Sequence, residues 1–145
     1  MKGRVSMEKK DEMVLKGIGS IRSPLTSREE CPKQASEGGH EGMIIIEPPW
    51  RDGLEGLEAG REILIFTWLH LADREILKGH HRGDAGRPLR GVFATRSPSR
   101  PNPIGLHRVT ILEMSERGMR VAPLDVIDGT PVVDIKPVLE IAREG

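Results

Sequence analysis

The sequence has no tyrosine, a single cysteine (Cys31), and only four aromatic side chains in 145 residues: Trp50, Phe66, Trp68 and Phe93. So few rings exclude a platform on which several successive bases stack. One cysteine excludes an internal disulfide framework and a thiolate metal cluster. No apolar run approaches the roughly 18–20 residues of a membrane-spanning helix. The longest, Met43–Ile46 and Ile63–Leu69, are short, and Thr67 breaks the second. Residues Met1–Glu12 are densely charged and lack the apolar stretch of a secretory signal. Net charge is absent too, with 22 Lys+Arg against 22 Asp+Glu. A soluble cytoplasmic protein with no membrane contact is the expectation. Gly17-Ile18-Gly19 lacks the third glycine and the following helix of a dinucleotide site, and there is no Gly-Lys-Ser/Thr phosphate loop.

What is present is turn chemistry and short strands. There are 17 Gly and 11 Pro, which disfavour long helices. The length suits one domain. Residues 1–12 read as a mobile charged tail, and 13–145 as the folded domain. Met13–Arg22 reads as a glycine-interrupted strand, followed by a polar loop over Ser23–Gly42. Met43–Glu47 is a short buried strand stopped by Pro48-Pro49. Ile63–His70 is β-branched and aromatic, hence a strand. A helix over Ala59–Lys78 competes with it, and Ala72–Leu77 suits a helical turn. Arg90–Thr95 reads as a strand. Ile104–Ser115 alternates with period two, and Glu116-Arg117-Gly118 turns it into Met119–Leu124 as a hairpin. Val132–Lys136 closes the set. The fold class expected is all-β: a small single-sheet β-barrel of about seven strands with minor helical turns. Closure removes the exposed edges of such a sheet.

Charge is unevenly spread. Between Lys78 and Arg108 lie seven basic residues (Lys78, Arg82, Arg87, Arg90, Arg96, Arg100 and Arg108) and one acid, Asp84, so this stretch carries +6 in a neutral chain. A local basic field is the footprint of a polyanion, and Arg presents a planar fork to phosphate. Arg82, Arg87, Arg90, Arg100 and Arg108 are the candidates for contact with such a polyanion, which the family resemblance below makes an RNA. A solvated surface balanced by nearby acids is the other explanation. Within this stretch, Ser97-Pro98, Arg100-Pro101 and Asn102-Pro103 place three prolines in six residues. Each fixes its own φ and keeps the residue before it extended. The loop is therefore stiff, and must satisfy its carbonyls with side chains such as Asn102. It suits a preorganised small-molecule site or a structural crossover, and Gly105 would admit a close backbone approach. Asp128-Gly129-Thr130-Pro131 is a turn. Asp125, Asp128 and Asp134 cluster in sequence without metal-loop spacing, so no metal is expected and pairing with arginines is. His70 ends a strand, as a rim histidine or a ligand contact. Cys31 has no nearby histidine to activate it.

Three strings together resemble the TsaA-like (TrmO-type) tRNA methyltransferase family: Gly91-Val92-Phe93-Ala94-Thr95-Arg96-Ser97-Pro98, then Arg100-Pro101-Asn102-Pro103-Ile104-Gly105-Leu106, then Asp128-Gly129-Thr130-Pro131-Val132-Val133-Asp134-Ile135-Lys136-Pro137. Ile18–Pro24 is similar to the family's opening strand, and Pro32-Lys33-Gln34 to its Pro-Arg-Gln element. The resemblance implies a small β-barrel, a homodimer, S-adenosylmethionine as cofactor and tRNA as partner. It implies methylation of the exocyclic nitrogen of threonylcarbamoyl-adenosine, beside the anticodon. By motif position, cofactor contacts fall at Pro32, Lys33, Gln34, His70, Leu71, Arg96, Leu106, Ile127, Asp128, Gly129 and Thr130. Asp128, Asp134 and His70 are the candidates for the base. The sequence departs from the family at Lys33, where the family has Arg, and after Pro137, where Val138 stands in place of a common Tyr. It ends at Gly145, as a short form without the bacterial C-terminal domain. The alternative function is a cofactor-binding regulator that senses S-adenosylmethionine without methylating tRNA.

Overall fold

The computed structural model describes residues 12–26, 39–80, 86 and 89–139. Eight strands occur among them: β1 (Gly19–Arg22), β2 (His40–Ile46), β3 (Glu62–Trp68), β4 (Lys78–His80), β5 (Leu89–Gly91), β6 (Ile104–Ser115), β7 (Gly118–Leu124) and β8 (Pro131–Pro137). Six of them close into a barrel in the order β1-β2-β7-β6-β3-β8, while β4 and β5 form a separate two-stranded ribbon. Neighbours pair antiparallel throughout.

The interior is written in period two. On β6, Gly105, Val109 and Ile111 are buried, whereas Leu106, Arg108 and Leu112 are exposed. On β3, Ile63, Ile65 and Thr67 point inward. Ile21, Ile44, Ile46, Met119, Val121, Leu124, Val126 and Val132 complete one core. Mostly β-branched side chains suit this curved, pleated wall. Each fully buried one contributes about 1.5–3 kcal/mol against exposure.

The barrel and the 104–124 hairpin are as the alternation predicts, but three details differ. The strand at the N-terminal side begins at Gly19 rather than Met13, and Met13, Val14 and Leu15 lie exposed outside the core. The single sheet of about seven strands becomes a six-stranded barrel plus a ribbon. The ribbon's β4 is three residues long and centred on Gly79, too short to show periodicity. Of the expected 90–95 strand only Arg90 and Gly91 pair, within β5; Val92–Ala94 is a 3₁₀ turn, because the Thr95 amide and hydroxyl both return to the Val92 carbonyl. No helix forms over 59–78. Leu69–Ala72 is a turn closed by the Ala72 amide on the Leu69 carbonyl at 3.0 Å. Pro48-Pro49 stops β2 as expected and opens a 3₁₀ helix, Pro48–Leu54. No helix among the described residues is long and apolar enough to cross a membrane.

Strand directions sort the connections by end. The β1–β2 connection, the β7–β8 connection and the long excursion from β3 through the ribbon to β6 all leave from one end, the mouth. The opposite end holds the β2–β3 connection and the Glu116-Arg117 turn.

Candidate functional site at the barrel mouth

The stiff loop before β6 is ordered from within. Arg100 donates through Nη1 to the carbonyls of Thr95 and Ser97 at 3.1 and 3.0 Å, and through Nη2 to that of Val92 at 2.8 Å. The Thr95 and Ser97 hydroxyls accept the amides of Ser97 and Ser99 at 3.2 Å. Three prolines remove backbone donors, so carbonyls here need a side-chain partner. Arg100 supplies it, where the sequence pointed to Asn102. Two bonds fasten the loop to the exit of β3: Arg74 Nε to the Pro101 carbonyl at 2.7 Å, and the Leu69 amide to the Pro103 carbonyl at 2.8 Å. Arg74 also lies over the Trp68 ring at 5.0 Å.

The β7–β8 connection is fastened to the exit of β1. The Ser23 amide donates to Asp128 Oδ1 at 2.9 Å. The Asp128 and Gly129 amides donate to the Leu25 and Ile21 carbonyls, each at 2.8 Å. Gly129 has φ of 87°, the left-handed conformation that glycine adopts without strain. The buried Thr130 closes the turn with its hydroxyl on the Ile127 carbonyl at 2.7 Å.

Inside the mouth lies a polar chain. Thr67 Oγ1 is 2.9 Å from His107 Nε2, and His107 Nδ1 is 3.5 Å from Asp125 Oδ1. Thr67 is fully buried, while the side chains of His107 and Asp125 are 14% and 25% exposed. Gly105 makes room: a Cβ there would collide with Thr67 Oγ1 and sit 2.8 Å from His107 Nε2. The close approach at Gly105 is thus to these two side chains. Sequence reasoning passed over the trio because its members stand 40 and 18 residues apart. One signal was available: His107 shares the inward phase of Val109 and Ile111.

The topology brings His70, Leu71, Arg96, Leu106, Ile127, Asp128, Gly129 and Thr130 to this one end. His70 and Arg96 are exposed and have no side-chain partner among the described residues; Leu71 and Leu106 are exposed apolar surface. Pro32, Lys33 and Gln34 lie outside the described residues, as does Cys31; the strand ends that flank them, Arg22 and His40, are both at the mouth. Asp134 stands apart. It pairs opposite Phe66, is exposed, and accepts the Ile135 amide at 2.9 Å. Among the described residues these aspartates do not pair with arginines as expected: Asp125 faces His107, and Asp128 and Asp134 accept backbone amides. No group of metal-holding side chains occurs among the described residues.

The basic band divides. Arg82 and Arg87 lie outside the described residues. Arg90 is exposed and unpaired among the described ones. Arg100 is spent on the loop. Arg108 forms a two-pronged exposed pair with Glu62, both bonds 3.0 Å, which lowers the Glu62 pKa and raises that of Arg108. Arg120 is likewise raised, by its 2.8 Å bond to Glu41.

Residues 20–142 match the family model of the tRNA-methyltransferase O N-terminal domain. Among similar proteins is a probable S-adenosyl-L-methionine-binding protein of Methanothermobacter thermautotrophicus, 44% identical over 129 residues, covering 89% of this chain and 92% of the relative. An S-adenosyl-L-methionine-binding protein of Archaeoglobus fulgidus is 42% identical over 124 residues, covering 86% and 88%. Of solved structures, TrmO from Pseudomonas aeruginosa aligns with a TM-score of 0.71 at 30% identity. A further TrmO crystal structure aligns at 0.72 and 31%. This chain spans 59% and 58% of the lengths of those two proteins.

Proposed function

The chain belongs to the tRNA-methyltransferase O N-terminal-domain family, and on that premise we propose that it is an S-adenosylmethionine-dependent tRNA methyltransferase with its reaction site at the barrel mouth. The acceptor in this reading is the exocyclic nitrogen of threonylcarbamoyl-adenosine beside the anticodon. One observation carries the proposal: the β3–β6 and β7–β8 connections, which bear the family-like strings, converge on one end of the barrel around a shared polar chain.

The residues there fit the cofactor's chemistry. It joins an apolar purine to a carboxylate and a cationic sulfonium, and when bound it supplies an electrophilic methyl group. Leu71 and Leu106 offer exposed apolar surface. Arg96, unpaired among the described residues, offers a cation for the carboxylate. Asp125 and Asp128 would supply negative charge to complement the sulfonium. The loop held by Arg100 is ordered before binding, which reduces the entropy lost on association. Fixing donor and acceptor in line then supplies a large part of the rate. Arg90 is exposed and would be available to a phosphate of the tRNA, a substrate that fits a cytoplasmic protein. A homodimer suits the exposed Leu77, Leu89 and Phe93 of the ribbon segment.

A second reading, a regulator that binds the cofactor without transferring its methyl group, is favoured by the relatives' names, which state binding alone. Transfer of a tritiated methyl group separates the two. The enzyme reading expects label on tRNA that carries threonylcarbamoyl-adenosine and none on tRNA that lacks it. Cofactor binding by calorimetry with no label on either tRNA establishes the regulator instead.

A further inference from the structure

We propose that Asp125 is the group that takes the acceptor's proton during methyl transfer, and that His107 and Thr67 are positioning residues for it. This rests on the methyltransferase reading and goes beyond it, because Asp128, Asp134 and His70 are the groups the motifs suggest.

The ordering of the chain decides the roles. Thr67 is fully buried, His107 is 14% exposed and Asp125 is 25% exposed. A buried hydroxyl cannot reach a substrate, so this is not the nucleophile–histidine–acid arrangement of acyl transfer despite its order. The working end is the carboxylate. In this proposal the His107 proton sits on Nδ1, which lies 3.5 Å from Asp125 Oδ1, and Nε2 accepts from the Thr67 hydroxyl at 2.9 Å. No other side-chain bond of Asp125 occurs among the described residues, and its side chain is 25% exposed just past the end of β7. Asp128 is the neighbouring acid, but the Ser23 amide ties it into the turn and, unlike Asp125, it has no histidine beside it among the described residues. Asp134 is outside the mouth. His70 has no group to fix its tautomer among the described residues. Among the described residues, His40 on β2, opposite Leu124, is a further titratable side chain beside this corner, and it is exposed with no bond to Asp125.

The step balances. The methyl carbon's bond to sulfur breaks as its bond to the exocyclic nitrogen forms, and the sulfonium becomes a neutral thioether. The nitrogen loses its proton to the carboxylate of Asp125, which later passes it to water. A positioned proton acceptor of this kind contributes about 10²–10⁴-fold to the rate.

The test is single-turnover methylation of threonylcarbamoyl-bearing tRNA, with cofactor affinity measured in parallel by calorimetry. Asp125→Asn keeps the side-chain shape and is expected to lose about 10²-fold or more in rate with cofactor affinity within a few-fold. Asp125→Ala with added formate is expected to regain rate, a response that a purely structural aspartate would not show. In the wild-type protein, nitrogen-15 spectra of the imidazole should show His107 protonated on Nδ1, a preference retained in Thr67→Val and lost in Asp125→Ala. Active wild-type protein with an Asp125→Asn variant of equal rate overturns this inference alone, and so does a His107 protonated on Nε2. Wild-type protein that transfers no methyl group overturns the function and this assignment together.

Discussion

At the scale of the residue, two arginines in one loop illustrate why a basic string does not translate directly into ligand contacts. Arg96 and Arg100 stand four residues apart with the same chemistry. Arg100 spends its guanidinium on three carbonyls that the prolines leave without donors. Arg96 is exposed and has no partner among the described residues. Their alanine variants should therefore fail differently. Arg96→Ala is expected to weaken S-adenosylmethionine binding about tenfold or more, the worth of one charge-assisted hydrogen bond, with an unchanged melting temperature. Calorimetry showing equal affinity would remove Arg96 from the site. Arg100→Ala is expected to destabilise the protein by about 1–3 kcal/mol, read from the denaturation midpoint, as hydrogen bonds inside the loop are lost. Legibility at this scale was partial. Proline and alternation rules exposed the loop and the inward face of β6. Which carbonyls a given arginine satisfies depends on how the loop folds back, and residue spacing does not encode that. Likewise, Thr67, His107 and Asp125 come together only through the β3–β6 register and the exit of β7.

At the scale of the element, the barrel strands were legible because one face of each is buried, and a one-residue shift would expose every isoleucine. β6 and β7 show this most clearly. The ribbon was not legible, since β4 and β5 have three residues each, and β5 has no buried residue to impose a pattern. The same alternation places Arg108 outward, against Glu62 on the neighbouring strand, where the pair contributes across β3 and β6. The guanidinium lowers the Glu62 pKa from its ordinary value of 4.5. A lowered folded-state pKa means stability that is present above the ordinary carboxylate range and lost as pH falls through the folded value. Glu62→Gln should thus lower the melting temperature slightly at neutral pH and low salt, and not at all in strong acid. Both groups are exposed, so high salt should shrink the difference as well. A difference that grows on acidification would contradict the pairing.

At the scale of the whole molecule, the arrangement follows from closure. Antiparallel strands in a six-membered ring send alternate connections to opposite ends, so segments far apart in sequence share one mouth. That is why strings at 91–106 and 128–137 carry meaning together. The exposed apolar residues follow the same geography. Leu77, Leu89 and Phe93 belong to the excursion between β3 and β6, and Phe93 is 81% exposed. If a second copy covers them, Phe93→Asp should shift the protein from dimer to monomer in analytical ultracentrifugation; a wild-type monomer at micromolar concentration would refute the dimer.

The reaction itself is open to one direct measurement, nucleoside mass spectrometry of tRNA incubated with the protein and S-adenosylmethionine. The account predicts a methyl-sized mass increase on threonylcarbamoyl-adenosine and on no other nucleoside. An unchanged mass at that nucleoside, with the cofactor demonstrably bound, would contradict it.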